Sequence, residues 1–235
     1  MIIKNSKAQK VILALDFDSE SETLDLVERL DPKLCKLKIG KQLFVREGPR
    51  IVTRLIDRGF DVFLDLKFHD IPNTVVKACE AAADMGCWMV NIHALGGGTM
   101  MEAVANSFAR LKAPPLLVSV TVLTSFDSQE ISRIGLNKTI GNQVELLAKL
   151  SYDSGLDGVV CSALEVGKIK KSVVGSKFIY VTPGIRFLGD AMHDQSRVVT
   201  PERAILLGSD YIVIGRSITN DNDPLKKLKQ INLNS

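Results

Sequence analysis

The stretch DLKFHDIPNTV, residues 65–75, places Asp65, Lys67, His69 and Asp70 within six positions. Carboxylates and an ammonium at that spacing can move a proton or hold a developing charge, provided the chain gathers them at one place. Buried charges are costly unless paired, and such clusters mark functional sites more often than stability devices. Two other stretches suit an anion. VTPGIR (181–186) and VIGRS (213–217) each join a glycine, Gly184 or Gly215, to an arginine, Arg186 or Arg216. Glycine lets backbone N–H groups approach a phosphate closely, and a guanidinium adds charge-assisted hydrogen bonds.

The elements that must position these groups alternate along the chain. Strand-type runs occur at 11–17, 34–40, 61–68, 88–94, 116–123, 158–162, 178–184 and 211–218. Between them lie runs with helical periodicity, among them 21–30, 43–59, 73–86, 98–111 and 143–155. Glycine closes several helices just before the next strand, as in Gly59-Phe60-Asp61 and Gly208-Ser209-Asp210. Strand–helix alternation implies a parallel sheet, and eight units in 235 residues predict an α/β fold closed as a (β/α)8 TIM barrel. An open sheet of six or more strands is the alternative. With no linker or low-complexity stretch, residues 1–235 read as one barrel domain.

Side chains alternate faces along a strand. In DVFLDLKF, Val62, Leu64, Leu66 and Phe68 face the helices, whereas Asp61, Phe63, Asp65 and Lys67 face inward. The same parity turns Lys36 and Lys38 inward on the second strand, Asp16 on the first, and Asn91 and His93 on the fourth. Three consecutive strands therefore raise Asp16, Lys38, Asp65 and Lys67 to the C-terminal mouth, where barrel active sites lie. The two Gly/Arg stretches follow strands seven and eight, the usual phosphate position in such barrels. The long segment after Gly184 has the character of a lid, with Gln195 able to reach a bound phosphate on closure. Thr124 and Ser125, after strand five, offer hydroxyls to a planar polar ligand.

Composition removes other classes. With 30 Lys plus Arg against 27 Asp plus Glu, the chain lacks the basic stripe of a nucleic-acid binder. Lys226, Lys227 and Lys229 read as the solvated face of a final helix. No apolar run reaches membrane-spanning length, and the first ten residues lack a signal-peptide core. Cys35, Cys79, Cys87 and Cys161 form no C-x-x-C pair and read as reduced, buried thiols, so the expected location is cytoplasmic. The cysteines and the three histidines show no metal-ligand clustering, and no G-x-G-x-x-G or P-loop marks a cofactor, so neither metal nor cofactor is expected. His69 reads as structural, His93 as a support for Asp65 or Lys67, and His193 as an exposed lid residue.

Taken together, DLKFHDIPNTV with LDF, LKIG, VTVLTS, VTPGIR and VIGRSIT resembles the bacterial type of the orotidine 5′-phosphate decarboxylase family. The likeness runs from about Val11 to Thr219. The D-x-K-x-x-D core also occurs in metal-assisted relatives such as 3-keto-L-gulonate 6-phosphate decarboxylase, which lack the IPNT continuation. HALGGG departs from the family's HASGG at Leu95. The resemblance implies a barrel of the ribulose-phosphate-binding type that converts orotidine 5′-phosphate to UMP, the last step of de novo pyrimidine nucleotide biosynthesis, without a cofactor. It implies catalytic roles for Lys67, Asp65, Asp70 and Lys38. Asp16 and Lys38 would hold ribose hydroxyls and Thr124 the pyrimidine, while Arg186, Gln195, Gly215 and Arg216 would bind phosphate and close over the ligand. It also implies a homodimer in which Asp70 and Thr74 serve the neighbouring site. The alternatives are a metal-assisted phosphosugar decarboxylase or aldolase on the same barrel, a lysine Schiff-base aldolase, and a non-catalytic barrel that binds a phosphate ligand.

Overall fold

The computed structural model describes residues 10–173, 177–187 and 198–233. Eight parallel strands follow one another around a closed barrel. They are β1 (Val11–Leu15), β2 (Lys36–Gly40), β3 (Val62–Phe68), β4 (Met89–His93), β5 (Leu116–Val120), β6 (Gly158–Val160), β7 (Ile179–Thr182) and β8 (Tyr211–Ile214). The ring closes where Val11, Ile12 and Leu13 pair with Ile212, Val213 and Ile214. Around it run α1 (Glu20–Val27), α2 (Lys41–Glu47), α3 (Pro49–Asp57), α4 (Pro72–Asp84), α5 (Gly97–Phe108), α6 (Ser128–Arg133), α7 (Ile140–Asp153), α8 (Ala163–Ser172), α9 (Pro201–Leu206), α10 (Arg216–Thr219) and α11 (Pro224–Leu233).

Strand parity divides the apolar side chains into two layers. Val11, Leu13, Leu15, Cys35, Leu37, Ile39 and Leu64 pack outward in the large core shared with the helices. Ile12, Ala14, Phe63, Met89, Val118, Val181 and Val213 form a separate cluster inside the barrel. That plug separates two polar ends. At the N-terminal end, Lys36 Nζ lies 2.5 Å from Asp61 and 4.3 Å from the centre of the Trp88 ring, and Trp88 meets Tyr211 edge-on. At β6 the inner wall is crowded: a Cβ on Gly158 would lie 2.3 Å from the Ile179 carbonyl oxygen, so only glycine fits.

Side-chain caps start many helices. Ser19, Asp127, Thr139 and Thr200 accept from first-turn N–H groups, and Ser162 forms a reciprocal capping box with Glu165. The helical run at 43–59 is two helices. Gly48, at φ 66°, ends α2, and Pro49 starts α3. All four cysteines are buried between strands and helices. Burial pushes Cys35, Cys79 and Cys87 up to about 12. No helix among the described residues is long and apolar enough to cross a membrane.

Candidate active site

The inward residues at the ends of β1 to β3 form one continuous row. Lys38 Nζ lies 3.4 Å from Asp16 Oδ1 and 3.3 Å from Asp65 Oδ2. The other oxygen of Asp65 accepts from Lys67 Nζ at 2.6 Å. Cations and anions therefore alternate: Asp16, Lys38, Asp65, Lys67. Exposure rises toward both ends, from 10% for the Lys38 side chain and 12% for Asp65 to 27% for Lys67 and 59% for Asp16. Gly40, just beyond Lys38, leaves room for this row: a Cβ there would sit 3.2 Å from Asp16 Oδ1 and 3.3 Å from Lys38 Nζ.

Electrostatics follow from that packing. Burial alone would push the Asp65 carboxyl up. The Lys38 and Lys67 ammonium groups, with hydrogen bonds from Lys67 and Asn91, outweigh burial and hold it at about 2. Burial likewise works against the charged form of Lys38, but Asp65 and Asp16 prevail and raise it. Both groups stay ionised near neutral pH.

Asn91 is the residue that sequence reading placed on the inner face without giving it a role. It is fully buried. Its Nδ2 donates to Asp65 Oδ1 at 2.6 Å, and its Oδ1 accepts the Lys67 backbone N–H at 2.8 Å. His93, expected to support this pair, instead stacks on His69 with ring centres 5.4 Å apart, and its Nδ1 accepts from Leu95 N–H. Burial first, then the neighbouring His69, Lys67 and Lys41, lower His93 to about 4, so it is neutral in ordinary buffers.

The row forms one wall of an open cavity of about 760 Å³ at the C-terminal mouth. Thr124 and Ser125 line it from the loop after β5. Gly184, Arg186, Gly215 and Arg216 line it from the loops after β7 and β8. Gly184 turns the chain at φ 78°, a conformation that suits glycine. Arg186 is buried; one terminal nitrogen donates to the Ile185 carbonyl, while its Nε has no hydrogen-bond partner among the described residues. A buried donor left open in this way is suited to an anion. Arg216 is exposed at the start of α10.

Asp70 and Thr74 stand apart. Both are exposed, and neither lines the cavity. Asp70 Oδ1 accepts the Ile71 N–H at the entry to α4, whose first turn carries Thr74. Gln195, Gly189 and His193 lie outside the described residues. Among the described residues no group of three or more His, Cys, Asp or Glu could hold a metal ion.

Residues 9–231 match the family model described as "Orotidine 5'-phosphate decarboxylase / HUMPS family". The orotidine 5′-phosphate decarboxylase of Laribacter hongkongensis is 54% identical over 94% of this chain and 91% of its own length. That of Pseudoalteromonas translucida is 52% identical over 96% and 97%. The crystal structure of orotidine 5′-phosphate decarboxylase from Lactobacillus acidophilus superposes with a TM-score of 0.83 at 37% identity, over 95% of this chain and 97% of that one. With a family match over nearly its whole length and about half its residues shared with such relatives, this chain belongs to the orotidine 5′-phosphate decarboxylase / HUMPS family.

Proposed function

We propose that this protein decarboxylates orotidine 5′-phosphate to UMP, the last step of de novo pyrimidine nucleotide biosynthesis. The observation that carries this is the Asp16–Lys38–Asp65–Lys67 row on one wall of a cavity whose other side holds Arg186 and Arg216. The reaction breaks the bond between C6 and the carboxylate, and CO2 leaves. The electron pair stays in an sp2 orbital at C6, with no adjacent carbonyl to delocalise it. Fixed charge must then stabilise the carbanion. In this reading Lys67 does so and then gives its proton to C6 as general acid. Asp65 holds Lys67 in place and, set near the substrate carboxylate, repels it until neutral CO2 departs. Lys38 balances the row and, with Asp16, holds ribose hydroxyls. Thr124 meets the pyrimidine. Arg186, Arg216, Gly215 and Gln195 take the phosphate, whose binding energy organises the charges at C6.

The metal-assisted alternative fits this donor set less well. Both oxygens of Asp65 already face ammonium groups, which leaves that carboxylate poorly placed to ligate a cation. The reading also takes residues 1–235 as one barrel domain, in a homodimer, in the cytoplasm. Asp70 and Thr74 would serve the neighbouring subunit's site. Their exposure supports this, as do the adjacent exposed apolar residues Ile71 and Leu95. The test is ultraviolet absorbance of orotidine 5′-phosphate mixed with EDTA-treated protein. Rapid loss of substrate is expected; turnover only of a sugar phosphate, and only with added magnesium, would reverse the assignment. For the shared site, inactive Lys67→Ala and Asp70→Ala subunits should regain activity when mixed. No recovery would remove Asp70 from the neighbouring site.

A further inference from the structure

We infer that Asn91 is a positioning residue, whose carboxamide holds a bulge in β3 and thereby points Asp65 and Lys67 into the same cavity. The inference deepens the proposed decarboxylase reading and rests on it for its kinetic test.

The register between β3 and β4 shifts partway along the pair. Phe63 pairs with Met89 and Leu64 with Val90, but the next matched pair is Phe68 with Ile92. Residues 65–67 therefore face Asn91 alone, and β3 carries two more residues than β4 across that gap. A bulge interrupts ladder bonding and re-aims side chains, and bulges are frequent beside active sites. Within the bulge Lys67 adopts φ 52°, the one non-glycine residue at positive φ among those described. Such a backbone is disfavoured for a residue with a side chain and persists only where its surroundings impose it.

Asn91 supplies that constraint. Its Oδ1 accepts the Lys67 N–H that the ladder no longer pairs. Its Nδ2 donates to the same Asp65 oxygen that accepts Lys67 Nζ. One carboxamide thus ties the backbone of the ammonium-bearing residue to the carboxylate that orients its side chain. Asparagine suits this because it offers an acceptor and a donor on one planar group. A carboxylate in its place would lack the donor when ionised and would confront Asp65. The charged groups facing Asp65 are Lys38 from β2 and Lys67 from β3, with Asp16, just after β1, beyond Lys38; β4 contributes the neutral Asn91.

Two variants and one spectrum test this. Asn91→Ala should keep the circular dichroism of the wild type and lower kcat about 100-fold, the scale of a misplaced reacting group. KM should change little, because the phosphate groups lie on the opposite wall. Asn91→Asp should behave differently. Protonated, its carboxyl mimics the carboxamide; ionised, it does not. Its kcat relative to wild type should rise at least tenfold from pH 8 to pH 5. A pH-independent ratio for Asn91→Asp, or an Asn91→Ala enzyme with wild-type kcat, would overturn the inference. Lysine 13Cε NMR reads the site without substrate, with the Lys67 signal assigned by its loss in Lys67→Arg. That signal should move in Asn91→Asp between pH 5 and pH 8 far more than in wild type, and an equal response would overturn the inference. A wild type that fails to turn over orotidine 5′-phosphate would instead reject the decarboxylase reading, and the NMR result would still decide the role of Asn91.

Discussion

Lys36 and Lys38 stand two residues apart on the same face of β2, and each pairs with an aspartate, Asp61 just before β3 and Asp65 within it, yet they do different things. Lys36 sits at the floor of the barrel, 2.5 Å from Asp61, with the Trp88 ring beneath its ammonium. Lys38 lies at the mouth, shared between two carboxylates at 3.3 and 3.4 Å, with a cavity of about 760 Å³ in front of it. The floor pair is satisfied by its own neighbours. The mouth row is a chain of charges whose open side faces the cavity. Burial and pairing of charge therefore do not by themselves identify a site; looser, multiple partners facing a cavity do.

Substitutions can break this contrast. The largest effect is expected at the mouth. Lys67→Ala should fold normally, since the side chain is only partly buried, and lose at least about 10⁴-fold in kcat. Near-normal turnover of orotidine 5′-phosphate in a folded variant would remove the proton-donor role. Across the cavity, Arg216→Ala should lower kcat/KM by roughly 100-fold, the scale of two charge-assisted bonds to a phosphate. A wild-type kcat/KM would separate this arginine from the ligand.

At the floor the pattern should invert. Lys36→Met should cost about 2 kcal/mol in urea unfolding, below the usual figure for a broken buried pair because Asp61 is half-exposed and rehydrates. Its kcat/KM should stay within a few-fold of wild type, and a large loss would erase the distinction between floor and mouth. The smallest effect concerns pH. Asp65 is held at about 2 against an ordinary value of 3.8. Its contribution is therefore fully present above pH 3.8 and is lost as pH falls through 2. That contribution is about 2 kcal/mol. The drop in unfolding free energy between pH 5 and pH 2 should be smaller by about this amount in Asp65→Asn. An identical drop would mean that Asp65 is not held low by its lysines.

Much of the arrangement was legible from period alone. Alternation along 61–68 separated Phe63, Asp65 and Lys67 from Leu64, Leu66 and Phe68, and the structure keeps that division. Paired strands are shorter than the apolar runs because the mouth residues leave the ladder: β1 ends at Leu15, so Asp16 and Phe17 line the cavity from a loop. The helical run at 43–59 hid a break that Gly48-Pro49 could have signalled. Asn91 was harder to read. Parity puts it inside, but its partners depend on the bulge in β3, and a register shift between strands leaves no periodic trace in either one. His93 misled for the same reason, since an inward position says nothing about which neighbour the ring will meet.

The buried cysteines have a consequence for handling and for timing. Thiolate is the reactive form, and at pH 7 or 8 Cys35, Cys79 and Cys87, raised to about 12, hold almost none of it. Each also lies between the barrel and its helical coat. An alkylating reagent can reach them only when that coat lifts. Labelling should be negligible in the folded protein and should proceed at the rate of opening once reagent is in excess. The protein thus carries its own clock, and mass spectrometry of the alkylated peptides would show whether the helices on β2, β3 and β4 detach together or one at a time.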